Sequence, residues 1–388
     1  LYAASTRTAL LVFFLSGMLM AFPGAILPVW GYHLSYDFVE VGRYFLALIL
    51  GVLCAVKLGD LLVRRRDVRT AVVAGCLVAG LAFVELALTS PPAGWVWRFA
   101  GTAVVGLAVG LLNSAAFQSL SAVYRRDPAA TVNLAGAAFG FGCLAVVVFI
   151  WLTYWVYTPT SLLLLLSLIP LFAAALFARS NFSPPAPHVT KGLKDIWAEV
   201  KSPGTVLFTL LLFFQFGNEW SVAGWLPVLL VHRVGANPAT GLLMLAFYWF
   251  ALLVGRVVTQ ALLARVSHGT LLLASVLAAI FGAIILATTN NLFGCWTAIL
   301  LLGGGFATIY PLVVERIGSR LPDYHPGFFN GLLSIGITGG LLAPWCLGYL
   351  ANWWGIRTMM VVPLLGSLMV FLLVVLLWIE SKLVASPR

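Results

Sequence analysis

Long apolar runs alternate with short polar connections along the chain, and the alternation repeats twelve times. A helix needs about 20 consecutive apolar residues to cross a bilayer. Twelve runs meet that length, at 8–33, 38–63, 69–89, 95–122, 129–156, 159–179, 204–231, 238–265, 269–289, 292–317, 327–351 and 357–380. With no water to bond its backbone, an open segment in lipid satisfies its own N–H and C=O groups only as a helix. The pattern therefore predicts an all-α membrane protein with twelve transmembrane helices. The second, fourth and fifth runs are long enough to tilt or to protrude past the hydrocarbon.

One polar connection is much longer than the rest. It runs from Arg179 to Pro203 and carries Ser183-Pro184-Pro185-Ala186-Pro187 followed by mixed charges. It predicts a six-helix bundle over 1–180, a linker over 181–203 and a second six-helix bundle over 204–388. Residues 192–200 have the spacing of a short amphipathic helix lying on the membrane surface. The two halves also repeat. Gly17 and Gly24 recur as Gly217 and Gly224, both at an offset of 200, with Pro28 and Pro227 following. Gly51 corresponds to Gly255, and Gly106 with Gly110 to the run Gly303–Gly305. Two parallel six-span halves are a transporter architecture, and small residues let membrane helices approach closely.

Composition agrees: 62% of residues are hydrophobic and 9% charged, which excludes an ordinary soluble domain. A formal net charge of +10 would fit a nucleic-acid binder, but its placement argues otherwise. If both termini share one side, that side collects Arg7, Lys57, Arg64, Arg65, Arg66, Arg69, Arg125, Arg126, Arg179, Lys191, Lys194, Lys201, Arg265, Arg316, Arg320, Lys382 and Arg388. The bias predicts that both termini are cytoplasmic, with the basic loops against anionic lipid headgroups. The expected location is a bacterial plasma membrane, the expected state a monomer among membrane lipids, with no nucleic-acid partner. The five cysteines lie inside apolar runs without a C-x-x-C pair and read as packing residues. No metal-ligand set, cofactor fingerprint or hydrolase motif occurs, and no phosphate-binding loop is present. An enzyme is not expected, and movement of a solute must run down a gradient.

The candidate chemistry centres on Glu219, in Gln215-Phe216-Gly217-Asn218-Glu219-Trp220-Ser221 near the middle of the seventh run. A carboxylate at that depth costs several kcal/mol and so needs a partner, a proton or a water-filled cavity. It is the only carboxylate expected at mid-membrane and the candidate for ion coupling, with a proton or sodium ion as partner. The candidate solute site comprises Asn113, Asn133, Gln215, Asn218, Trp220, Ser221, Tyr248, Trp249, Tyr310 and Asn330. Amides together with aromatic faces suit a small polar solute with a ring. Read singly, each of these residues fits an interhelical hydrogen bond or core packing equally well. Two simple surface pairs are also expected, Glu85 with Arg98 and Glu40 with Arg43.

The stretch Gly59-Asp60-Leu61-Leu62-Val63-Arg64-Arg65-Arg66 resembles the signature of the major facilitator superfamily, G-x-x-x-D-R-x-G-R-R, between spans two and three. Leu61 and Val63 replace its first arginine and inner glycine, and the matching acid in the second half is Ala264. Gly106–Asn113, Asn133–Gly142, Glu219 with Gly224–Pro227, and Gly255-Arg256 are similar to the fucose–galactose–glucose–hexuronate proton symporter group. The resemblance implies alternating access, a sugar among the candidate cargoes and proton coupling. It also implies a cytoplasmic gate built from Asp60, Arg64, Arg65 and Arg66, to which Arg256 and Glu315 are added as candidates. The chain departs from that group in span one, where Ala21–Pro28 contains no acid. Two other readings stay open: an efflux carrier or flippase for amphipathic drugs or lipids, and a membrane receptor that keeps the fold without transport.

Overall fold

Helix starts follow local chemistry. Asp67, Thr158, Asn237 and Ser267 each accept a hydrogen bond from the backbone N–H three residues on, satisfying a donor that the first helical turn leaves free. Pro159, Pro203 and Pro238 occupy first-turn positions, where a missing N–H costs nothing. Gly235 closes the seventh span in the left-handed region at φ 70°, which a glycine enters without strain.

The computed structural model describes residues 4–124, 128–184, 193–320 and 331–385. Fourteen α-helices are described: α1 (Ala4–Ile26), α2 (Phe38–Arg65), α3 (Val68–Leu88), α4 (Trp95–Tyr124), α5 (Pro128–Thr153), α6 (Pro159–Ala178), α7 (Leu193–Glu199), α8 (Pro203–Val234), α9 (Pro238–Leu263), α10 (His268–Thr288), α11 (Leu292–Arg320), α12 (Gly331–Gly340), α13 (Ala343–Trp354) and α14 (Val361–Ala385). Twelve helical spans are long and apolar enough to cross a membrane. The surface helix expected at 192–200 is α7. Two expected spans differ in detail. The first ends as helix at Ile26 and continues as turns, because Pro28 has no N–H to extend the ladder. The eleventh is two helices, α12 and α13, broken after Gly340 and restarted with Pro344 in the first turn.

The repeat is visible in packing. In the first half α1 packs on α5, α2 on α4, and α3 on both α4 and α6; in the second, α8 packs on α12, α9 on α11, and α10 on both α11 and α14. Glycines set the closeness: a Cβ at Gly17 would collide with the backbone of Phe139, and one at Gly217 would press on Gly340 and Ala343. Contacts between the halves run from α2 to α13, α1 to α8, α5 to α9 and α5 to α11. The outer surface is apolar, with Leu81, Leu168, Phe172, Val257 and Phe281 all more than half exposed. Such a surface would aggregate in water; in an integral membrane protein it faces acyl chains.

At the end opposite the basic loops, both expected surface pairs are replaced. Arg98 is buried and bonds Glu40 (3.2 Å), the hydroxyls of Tyr44 (3.0 Å) and Tyr32 (3.2 Å), and the carbonyl of Ala93 (2.6 Å). Tyr32 also donates to Glu40. Its hydroxyl is pushed up to about 12, first by burial and then by that bond, so it stays a neutral donor. Arg43 instead lies over the ring of Trp95, 4.6 Å from its centroid. Glu85 keeps one carboxyl oxygen buried without a hydrogen bond. A guanidinium with five donors outcompetes a surface pairing once four acceptors from three segments converge on it.

Candidate functional site

One turn of α8 organises the centre of the molecule. Residues advance about 100° each around a helix, so Phe216, Glu219 and Trp220 share one face. That face lines a cavity between the halves. The other walls are Phe13 and Met20 of α1, Asn113 and Phe117 of α4, Gly136 and Phe139 of α5, Arg256 of α9 and Tyr310 of α11. The cavity measures about 70 Å³, room for roughly five water molecules.

Glu219 is buried at 7% exposure and Arg256 at 9%. Both line the same cavity. Glu219 and Arg256 interact electrostatically but do not close into a salt bridge as Arg98–Glu40 and His268–Glu315 do. The Arg256 guanidinium crosses to the other half and rests on Gly136, where a Cβ would lie 2.5 Å from Nη1. Its Nε is buried without a hydrogen-bond partner. Gln215, one turn before Glu219, is fully buried; its amide interacts with the Glu219 carboxyl but closes no hydrogen bond of ordinary geometry. Asn113 is oriented by Ser16, whose hydroxyl donates to Oδ1 at 2.7 Å. Trp220 meets Phe139 edge to face at 6.2 Å and tilts against Trp249 at 5.5 Å. Tyr310 meets Phe216 edge to face at 5.2 Å.

Of the residues expected to meet a solute, Asn113, Trp220 and Tyr310 line the cavity with Glu219. The others do not. Asn218 faces α14 and donates to Ser367 at 3.4 Å. Ser221 sits about 200° around α8 from Glu219, fully buried, with its hydroxyl unbonded. Tyr248 donates to the backbone carbonyl of Glu219 at 3.3 Å, steadying α8 rather than the carboxyl. Trp249 packs behind Trp220. Gln215 lies beside the cavity but is absent from its wall. Asn133 lines a smaller space of about 20 Å³ nearer the basic end, with Arg256 and Glu315. Asn330 lies outside the described residues.

The gate residues also separate. Asp60 accepts from Gln118 at 2.9 Å and Ser114 at 3.5 Å, both on α4. Arg64, Arg65 and Arg66 are exposed and make no salt bridge with it. Glu315 pairs with His268 at 2.9 Å. Arg256, expected at the gate, belongs to the central cavity as well. The residues sequence reasoning missed are Phe13, Phe117, Phe139 and Phe216. Nothing in the sequence marks these four among 26 phenylalanines.

A profile of the Major Facilitator Superfamily matches residues 129–340, over half of the chain. A glucose/galactose transporter of Brucella abortus biovar 1 (strain 9-941) is 26% identical over 165 residues, 41% of this chain and 39% of that protein. The match thus spans about two fifths of that relative. Among solved structures, the fucose:proton symporter of E. coli superposes with a TM-score of 0.66 at 17% identity, covering 96% of this chain and 98% of that one. A D-xylose-proton symporter gives 0.72 at 17% identity with 96% coverage of both. A nucleoside transporter gives 0.70 at 12% identity, covering 96% and 99%. At these identities the superpositions speak to the fold.

Proposed function

Because the chain belongs to the Major Facilitator Superfamily, we propose that it is a secondary transporter. In this reading it moves a small polar organic solute by alternating access, coupled to a proton or a sodium ion. The observation that carries it is the central cavity, where Glu219 and Arg256 of one half face Asn113 and Gly136 of the other. A cavity shared by two repeated halves is where a rocking motion exchanges access between sides. Sugars are the first cargo to test, since the sequence relative is named for glucose and galactose. Aromatic faces can stack on a pyranose ring while Asn113 and the charged pair meet its hydroxyls. In the same reading residues 1–180 and 204–388 are the two moving bundles. The basic loops are cytoplasmic in a bacterial plasma membrane, and Asp60 with the exposed arginines forms a gate made and broken through the cycle.

The carrier wall also favours a second reading. Phe13, Phe117, Phe139, Phe216 and Trp220 make much of it apolar, which suits an amphipathic cargo and an efflux role. Uptake into proteoliposomes separates the two. A sugar accumulating under an imposed proton or sodium gradient supports the first reading; exchange of amphiphiles without sugar uptake supports the second. Movement of neither class sinks both.

Alternating access has its own test. At the end opposite the basic loops the halves meet at Gly42 and Gly348, where a Cβ on Gly42 would lie 2.8 Å from the Trp345 carbonyl and 3.2 Å from Gly348. Gly42→Leu is expected to wedge the halves apart there. A cysteine placed in the cavity wall should then react with an impermeant thiol reagent at least tenfold faster from that side, equivalent to about 1.4 kcal/mol of bias. An unchanged labelling rate would argue against a closure at this contact.

A further inference from the structure

We propose that the solute of the central cavity carries a carboxylate, which Arg256 binds while Glu219 holds a proton. This rests on the transporter reading above and narrows its cargo to a small organic acid with a ring.

Arg256 is about nine-tenths buried and lines the cavity, and its Nε has no hydrogen-bond partner. A guanidinium presents its donors in a planar fork that matches a carboxylate. A buried structural arginine ordinarily fills that fork, as Arg98 does elsewhere in this molecule with four acceptors. The Nε of Arg256 is itself sealed from the cavity, but the residue lines the space where a solute would sit. Glu219, the acid that shares the central cavity with it, does not close a salt bridge with it.

Charge balance couples the two. The groups electrostatically linked to Glu219 are Arg256 and Tyr248 on α9, Tyr310 on α11 and Cys143 on α5. Arg256 is the one permanent charge among them. With Glu219 ionised the cavity is neutral overall, and an anionic solute would face a carboxylate. Glu315 also lies beside Arg256, across a separate smaller space, but it is paired with His268. With Glu219 protonated, the central cavity therefore keeps the positive charge of Arg256, and an anion there restores neutrality. Solute and proton then bind together, each favouring the other. The aromatic wall of Phe13, Phe139, Phe216 and Trp220 receives the body of the acid.

Matched pairs test this on the full chain in detergent. Galactose is set against galacturonate and benzyl alcohol against benzoate, at equal ionic strength and at pH 5.5 and 8. Thermal stabilisation reports occupancy of the native state. The acid of at least one pair should stabilise more than its alcohol, and more at pH 5.5 than at pH 8. Arg256→Gln should weaken that acid-specific effect more than tenfold, as loss of a charge-assisted bond implies, while Arg256→Lys keeps part of it. Glu219→Gln should bind the acid equally at both pH values. If Arg256→Gln fails to fold, Arg256→Gln with Glu219→Gln removes both charges and should bind neither acid in preference. Equal stabilisation by acid and alcohol in the unmodified chain overturns the proposal and leaves the transporter reading standing. Acid preference that survives without Arg256 overturns it too. No solute movement in proteoliposomes would remove the transporter reading itself.

Discussion

Glu219→Gln is expected to abolish solute-driven proton movement while leaving the chain folded. Glutamine preserves the size of the side chain and one of its acceptors, so the packing of Phe216 and Trp220 around it should persist. What it removes is the ability to take up and release a proton. At one proton per solute, a gradient of one pH unit can support about tenfold accumulation, since each unit is worth 1.36 kcal/mol. The variant should reach the same internal level with and without the gradient, and it should still exchange labelled for unlabelled solute. Among the described residues, Glu219 is the only carboxylate on the cavity wall. Wild-type accumulation in this variant would make Glu219 a structural acid and the protein a facilitator or uniporter. Because the substitution leaves Arg256 without its counter-charge, the variant also carrying Arg256→Gln separates lost coupling from lost stability.

Arg98→Met should cost about 3–5 kcal/mol, the usual effect of breaking a buried ion pair from one side. Glu40 is partly exposed, at 19% for its side chain, which places the expectation toward the lower figure. The reason is the number of partners. One guanidinium ties Glu40 and Tyr44 of α2, Tyr32 of the turn after α1, and the carbonyl of Ala93 ahead of α4. Its loss leaves Glu40 bonded to the two tyrosines but without a cation. Denaturation of the detergent-purified protein would measure this, and adding Glu40→Gln should recover part of the loss. A cost under about 1 kcal/mol for Arg98→Met alone would mean that the cluster is solvated like a surface pair.

Much of the architecture was legible because the bilayer simplifies the problem. Each span had to be helical, so apolar length and flanking arginines were enough to place twelve of them. Where an expected boundary failed, an imino acid explains it: Pro28 ends the first helix and Pro344 restarts the eleventh span. The site was less legible. Glu219 announced itself because a carboxylate in the middle of an apolar run is costly. Arg256 was visible as an intramembrane charge, but its sequence position near the end of α9 suggested a gate. Only the approach of Gly136, on a helix 120 residues earlier, brings its head group to the cavity.

The sequence by itself determined the number of spans, the helical class, the side that gathers positive charge and the one acid at depth. Each of these depends on a property local to a run of residues. Tertiary structure alone decided which polar side chains face one another. A helix that is apolar all round carries no stripe to show which face meets lipid, core or cavity. Asn218 and Glu219 are neighbours in sequence, yet one bonds Ser367 on α14 and the other opens into the cavity. Arg98 likewise left its expected partner for Glu40, because pairing depends on helices that meet only when the bundle closes.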